Sequence, residues 1–156
     1  MSLHQLKEKL GNKRFNNVVH ISQRDGYAYI SNPKSACSTI KLYLSRCEKQ
    51  DGSYKPKTLH KRSDLPFVNP NKISLKEQNN FFVFTFVRHP IKRAVSAYRD
   101  KILGNQFQKK EILELLGMSL DDIDQYISFQ DFVQVIRSQK AYELNPHWRP
   151  QFYNLY

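Results

Sequence analysis

Tyr29-Ile30-Ser31-Asn32-Pro33-Lys34-Ser35-Ala36-Cys37-Ser38-Thr39-Ile40-Lys41 reads as a strand, a short lysine-bearing turn, and a helix that starts at hydroxyl residues. That order of elements makes an anion site. The first backbone N–H groups of a helix have no partners inside it, and the helix dipole favours negative charge there. Lys34 adds a mobile cation, and Ser38 and Thr39 add hydroxyl donors. The turn lacks the G-x-x-x-x-G-K-S/T pattern of ordinary nucleotide phosphate loops. It points to a phosphate-like ligand and away from standard ATP and GTP enzymes.

A second segment repeats the arrangement. The run from Phe81 to Val87 is almost wholly apolar, the pattern of a strand buried on both faces. Arg88 stands at its end. Pro90 suits the first turn of a helix, where its missing N–H costs nothing. Ile91, Val95, Tyr98 and Ile102 follow at helical spacing and are expected to face the core, with Lys92, Arg93, Ser96 and Arg99 mostly off that stripe. Arg88 and Ser96 are thus presented near the carboxyl end of a strand, where ligands bind in open α/β sheets.

Length and composition bound the rest. The 156 residues suffice for one domain with a real core, and 13% aromatic content argues against disorder. Lys and Arg number 25 against 14 Asp and Glu, a formal net charge of +11, so anionic partners are expected. Charge alone does not choose among a nucleotide, a sulfated or acidic glycan and nucleic acid. Two cysteines, Cys37 and Cys47, are too few for a disulfide scaffold or a four-ligand zinc site. Their place on one loop–helix unit predicts no bond between them. No stretch is long enough to span a membrane, and Met1 to Phe15 is polar and basic without an apolar signal core.

Along the chain, a basic helix is expected over Ser2 to Lys13 with Leu3, Leu6 and Leu10 as its stripe, then a strand over Val18 to Ser22. Arg24-Asp25-Gly26 marks a turn, Tyr27 to Ser31 a strand, and Ser38 to Lys49 a helix. Residues 55–80 read as an irregular connection with three prolines. Lys109 to Leu116 is helical with Gly117 as its C-cap, and Ser128-Phe129-Gln130-Asp131 opens a helix to about Lys140. The segment Asn145 to Gln151 reads as loop.

Together the two anion segments resemble sulfotransferases that use 3′-phosphoadenosine 5′-phosphosulfate (PAPS), above all the carbohydrate branch with its chondroitin and dermatan 4-O-sulfotransferases. That family binds the 5′-phosphosulfate on a P-K-x-A-C-S/T loop, here Pro33-Lys34-Ser35-Ala36-Cys37-Ser38. It binds the 3′-phosphate on a segment of form F-V-R-x-P-x-x-R-x-x-S-A-Y/F-R-x-K. Phe86 to Lys101 matches every fixed position. The pair His147-Trp148, after a helix opened like Ser128 to Val133, is a further likeness. Family members run well past the His-Trp segment, so residues 1–156 resemble a single sulfotransferase domain that lacks the usual C-terminal part.

The resemblance implies an α/β, three-layer P-loop-like fold with a central parallel sheet flanked by helices. It implies PAPS as co-substrate, no metal, a carbohydrate or other hydroxyl acceptor as partner, and no nucleic acid. Oligomeric state stays open. As given, the chain is expected in the cytoplasm; the Golgi lumen applies if an N-terminal anchor has been removed. Lys34 would contact the bridging and sulfate oxygens. Ser38, Thr39 and the backbone from Ser35 through Ala36 and Cys37 would hold the 5′-phosphate, and Arg88 and Ser96 the 3′-phosphate. Arg93 either helps them or braces its helix.

The acceptor hydroxyl must lose a proton, and histidine is the natural base. His60 lies in the connection where related sulfotransferases place a catalytic histidine. His147 lies in the shared His-Trp segment. His60 ranks slightly ahead. Trp148 and Arg149 either clamp a sugar or pack in the core. Two other classes stay open: another phosphate-binding enzyme of kinase-like fold, and a non-catalytic basic module that binds polyanions.

Overall fold

The computed structural model describes residues 2–78 and 80–155. Met1, Asn79 and Tyr156 lie outside them, so the connection expected over 55–80 is followed through its other residues. Two compact units emerge: the chain up to Val87 together with Leu155, and Arg88–Asn154.

The first unit opens with α1 (Leu3–Val18). Ser2 Oγ accepts from the Gln5 N–H at 3.2 Å, and Gln5 Oε1 accepts from the Ser2 N–H at 2.9 Å, a reciprocal cap. Gly11, at φ 70° and ψ 157°, kinks the helix, which then runs past the expected end at Lys13. Strands β1 (Val19–Ser22) and β2 (Tyr27–Ile30) pair antiparallel, Val19 opposite Ile30. Helix α2 (Cys37–Lys49) follows the lysine-bearing turn. Then come two single 3-10 turns, α3 (Leu75–Gln78) and β3 (Phe82–Thr85). β3 lies parallel to β2, Tyr27 opposite Phe82, the arrangement that a helical crossover permits. Leu3, Leu6 and Phe15 of α1 pack with Val19, Ile21, Ala28 and Ile30 of the sheet, and with Ile73 and Leu155.

The fold is mixed α/β, and two expectations need correction. The sheet is not wholly parallel: β1 joins β2 by a tight turn, which forces antiparallel pairing. The Phe81–Val87 run is not buried on both faces. Among the described residues, β3 is an edge strand with β2 as its only sheet neighbour, and Phe82, Phe86 and Val87 are 72%, 48% and 67% exposed. Alternation puts Phe82, Phe84 and Phe86 on one face, where their rings follow one another at 5.8 and 5.9 Å.

The second unit is helical. α4 (Pro90–Ala97) continues into a wider π turn over Tyr98–Leu103, followed by α5 (Lys109–Leu115) and α6 (Phe129–Ser138). Gly117, at φ 67°, ends α5 as expected, with the Met118 N–H donating back to Leu113 O at 2.9 Å. Ser128 caps α6 by accepting from the Asp131 N–H at 3.1 Å. Ala97, Tyr98, Ile102, Ile112, Leu113, Ile127, Phe132, Val135, Leu144 and Trp148 form the core. Tyr98 and Ile102 face it as read, but Ile91 is exposed and Arg93 is buried in its stead. Arg93 can take a buried position because its guanidinium bonds two backbone carbonyls, Arg149 O and Pro146 O. Among the described residues, no helix is long and apolar enough to cross a membrane.

Candidate functional site

The first anion motif is the turn between β2 and α2. Asn32 is fully buried; its Nδ2 donates to Ser35 Oγ and to Phe86 O, both at 3.3 Å. The Ser35 N–H closes the turn on Asn32 O at 3.3 Å. Lys34 and Ala36 take left-handed φ values of 64° and 59°. Non-glycine residues hold that conformation only where the surroundings impose it, and such strain gathers at ligand sites. Alternating backbone hand turns successive N–H groups to one side, the geometry of an anion nest. The next residues open α2, which carries no side-chain cap and no acidic residue in its first turn. Ser35 is buried, Cys37 and Ser38 are half-buried, and Ala36 and Thr39 are exposed. Every group read from the sequence as a 5′-phosphate ligand therefore lies in one nest-and-helix-start segment. Its donors are N–H, hydroxyl and ammonium groups, which suits a phosphosulfate chemically.

The second anion motif belongs to the other unit. Gln151 holds the backbone of Arg88 from both sides: its Oε1 accepts from the Arg88 N–H at 2.8 Å, and its Nε2 donates to Arg88 O at 2.7 Å. The Arg88 side chain is exposed. His89 and Pro90 begin α4, and Ser96 sits half-buried in its last turn. Arg93 is 3% exposed, with Nη1 on Arg149 O at 2.6 Å and Nη2 on Pro146 O at 2.7 Å. Burial, then the neighbouring Arg149 cation, lowers its pKa to about 10. Arg93 braces its helix against the loop Asn145–Arg149.

The two candidate bases are held differently. His60 is exposed, and its N–H donates to Thr58 Oγ1 at 3.2 Å. Its neighbour Leu59 is tied down through its carbonyl, which accepts from buried Lys41 of α2. His147 is half-buried. Its backbone N–H and its Nδ1 both meet Asn145 Oδ1, at 3.1 and 2.8 Å, and Asn145 Nδ2 donates to Glu111 Oε2 at 3.2 Å. Burial raises the Glu111 pKa, with the Asn145 bond working against it. Trp148 is 5% exposed and meets Phe132 edge-on at 5.6 Å, so it packs in the core. Arg149 is also buried, with Nε and Nη2 on Asn154 Oδ1 at 3.2 and 3.0 Å.

Sequence reasoning missed Gln151, Asn145 and Glu111. Asn145 alone left a trace, because Asn two residues before a backbone N–H in an N-P-H turn is a common turn-former. It also missed a buried polar group beneath β1. His20, 1% exposed, meets Arg62 Nη1 at 3.0 Å through Nδ1. Arg62 also donates to Val19 O at 2.5 Å and to Val68 O. Among the described residues, no three His, Cys, Asp or Glu side chains gather as metal ligands.

Comparison with known proteins places the motifs in a family. The sequence profile of the sulfotransferase family matches residues 19–155. The chain belongs to the sulfotransferase family. It is similar to carbohydrate sulfotransferase 14 of Homo sapiens and of Mus musculus, 27% identical over 148 residues in each case. Those matches cover 86% of this chain and 38% of the relative. Carbohydrate sulfotransferase 14 of Danio rerio is 29% identical over 149 residues, covering 88% of this chain and 40% of the relative. The chain thus spans about two fifths of the length of these relatives. No solved structure gives a significant match. The likeness to the carbohydrate branch agrees with the reading of the two anion motifs.

Proposed function

We propose that this sulfotransferase-family chain moves a sulfuryl group from PAPS to a hydroxyl of a carbohydrate. The observation that carries the reading is the strained, left-handed Lys34–Ala36 turn opening onto the uncapped start of α2. The nest and the Ser38 and Thr39 hydroxyls hold the 5′-phosphate. Lys34 neutralises the charge that builds on the leaving phosphate oxygen. Arg88 and Ser96 bind the 3′-phosphate, and Gln151 sets the direction from which Arg88 reaches it. The parallel β2–β3 pair around α2 supports a P-loop-like architecture, and 1–156 is read as one sulfotransferase domain.

Sulfuryl transfer parallels phosphoryl transfer, in which positioning and charge stabilisation carry most of the rate. The acceptor oxygen forms its bond to sulfur as the bond from sulfur to the 5′-phosphate oxygen breaks, and the electron pair leaves with the phosphate. The hydroxyl proton goes to a histidine. His147 takes that role in this reading, because it is half-buried with its ring Nδ1 at 2.8 Å from Asn145 Oδ1, whereas His60 is exposed. His60 remains the second reading, favoured by the tie from Lys41 to Leu59.

Calorimetric titration with 3′,5′-ADP and with 5′-ADP at moderate salt tests the donor site. A strong preference for 3′,5′-ADP, lost in Arg88→Ala, is the expected result. Equal or absent binding by a folded protein overturns the reading. Binding that weakens steeply with salt and ignores the 3′-phosphate identifies a polyanion module instead.

A further inference from the structure

Glu111 and Asn145 have no part in the donor site, yet they form a chain of hydrogen bonds that ends on a candidate base. We propose that Asn145, itself oriented by Glu111, is a positioning residue that fixes which ring nitrogen of His147 receives the acceptor's proton. The proposal rests on the reading of His147 as the base.

A side-chain amide has a donor end and an acceptor end. Glu111 on α5 takes the donor end, since Asn145 Nδ2 donates to its Oε2 at 3.2 Å. The carbonyl end is thereby turned to His147. Two groups meet there, the His147 backbone N–H at 3.1 Å and the ring Nδ1 at 2.8 Å. The backbone N–H can only donate, which independently identifies the Asn145 atom as oxygen. A ring nitrogen bonded to that oxygen must carry a proton. Neutral imidazole has one ring N–H, so Nε2 keeps the lone pair. The proton of the acceptor hydroxyl then passes to Nε2 as the new O–S bond forms.

A simple turn does not account for the arrangement. An Asn turn needs only the bond from side-chain oxygen to the backbone N–H two residues on. Here the same oxygen also takes the ring proton, and a carboxylate on another helix fixes the amide. The backbone of the loop is held separately by Arg93, on Pro146 O and Arg149 O. The loop thus keeps the Arg93 support when the Asn145 amide is removed, whereas the ring loses its Nδ1 partner. This is the logic of a base oriented by a third group.

Nitrogen-15 NMR of histidine-labelled protein near pH 8, with His147 assigned by its loss in His147→Gln, reads the tautomer without any activity assay. The expected wild-type signal is the Nδ1–H form, shifting towards Nε2–H in Asn145→Ala. A wild-type Nε2–H signal overturns the proposal. Kinetics supply the second reading. Asn145→Ala is expected to lower kcat about 10- to 100-fold, with KM for PAPS and for the acceptor changed less than about threefold. Glu111→Leu is expected to lower kcat in the same direction. Glu111→Gln, which still offers an oxygen to Asn145 Nδ2, is expected to recover most of that loss. If His147→Gln loses kcat while Asn145→Ala and Glu111→Leu keep it, positioning fails and the base stands. If His147→Gln keeps kcat, the base reading itself fails.

Discussion

Two helices begin at the two anion motifs, α2 after Ala36 and α4 after His89, and neither start has a side-chain cap. The turn into α2 is contorted, with two left-handed residues that are not glycine. The turn into α4 needs no left-handed residue: His89 sits at φ −50° and ψ 128°, and Pro90 supplies the first helical φ. The supports differ as well. Beneath α2, Asn32 braces the turn by bonds to Ser35 and to the end of β3. Beside α4, Gln151 and Arg93 tie the helix to a loop more than fifty residues further along the chain. The first motif is set by backbone shape. The second is set by side chains that bond to distant partners. Substitutions should therefore act on different quantities in the two places.

The largest expected effect is on rate at the first. Lys34→Ala removes the cation proposed to meet the developing charge and keeps the backbone of the turn. Loss of one such group typically costs about 10²–10³ in kcat. A radiolabelled PAPS assay should show that fall, with the thermal midpoint of the protein unchanged. A variant with near-normal kcat would place the charge stabilisation elsewhere and erase the distinction drawn for this turn.

Arg93→Ala should act on stability at the second. It strips two carbonyls, Pro146 O and Arg149 O, of a buried charged donor. Each such bond is worth about 1.5–3 kcal/mol. A loss of about 3 kcal/mol in urea denaturation is expected. Arg93→Lys should regain less than half of it, because an ammonium does not span both carbonyls as the fork does. Unchanged stability in Arg93→Ala would break the contrast between a shaped turn and a braced one.

What could be read in the sequence divides along the same line. Pro90, the Ser128 cap, Gly117 and the hydroxyl start of α2 are local signals, settled within one turn of chain, and the structure places elements there. Gln151 on Arg88, Arg93 on the Asn145 loop and Arg62 on His20 join residues more than forty positions apart. No periodicity encodes such pairs. β3 was misread for a related reason: an apolar run looks alike at the centre and at the edge of a sheet. Only the neighbours decide, and along the edge strand Phe82 stacks on Phe84 while Phe84 meets Phe86 edge-on.

The buried histidine of the first unit sharpens the comparison through pH. Burial, and then the cations of Arg62 and Lys41, hold the His20 pKa well below 6.5. The unfolded chain therefore binds the proton more readily than the folded one. Stability is full above about pH 6.5 and falls as the pH drops below it, by up to about 1.4 kcal/mol per pH unit until the folded pKa is reached. Hydrogen exchange at pH 7.5 and pH 5 should show protection falling in β1 more than in α6. His20→Gln, which keeps an acceptor for Arg62, should level the two. Equal loss in both elements of the wild type would sink the assignment.

The smallest effect tests the premise of the contrast, that the turn into α2 is held in shape against its own residues. Ala36 is exposed and sits at φ 59°, a conformation that costs a residue with a Cβ roughly 1 kcal/mol. Glycine carries no such cost in the folded state but has more freedom to lose on folding. The first effect exceeds the second by a few tenths of a kcal/mol at a left-handed site, so Ala36→Gly should stabilise slightly in urea denaturation. Activity should move the other way. A glycine no longer restricts the N–H groups of the nest to one arrangement, and 3′,5′-ADP should bind about two- to fivefold more weakly. The same exchange at Ala94, inside the regular helix α4, should destabilise by about 1 kcal/mol and so has the opposite sign. Destabilisation at both positions would mean that Ala36 is at ease in its turn, and that the nest is shaped by Asn32 alone.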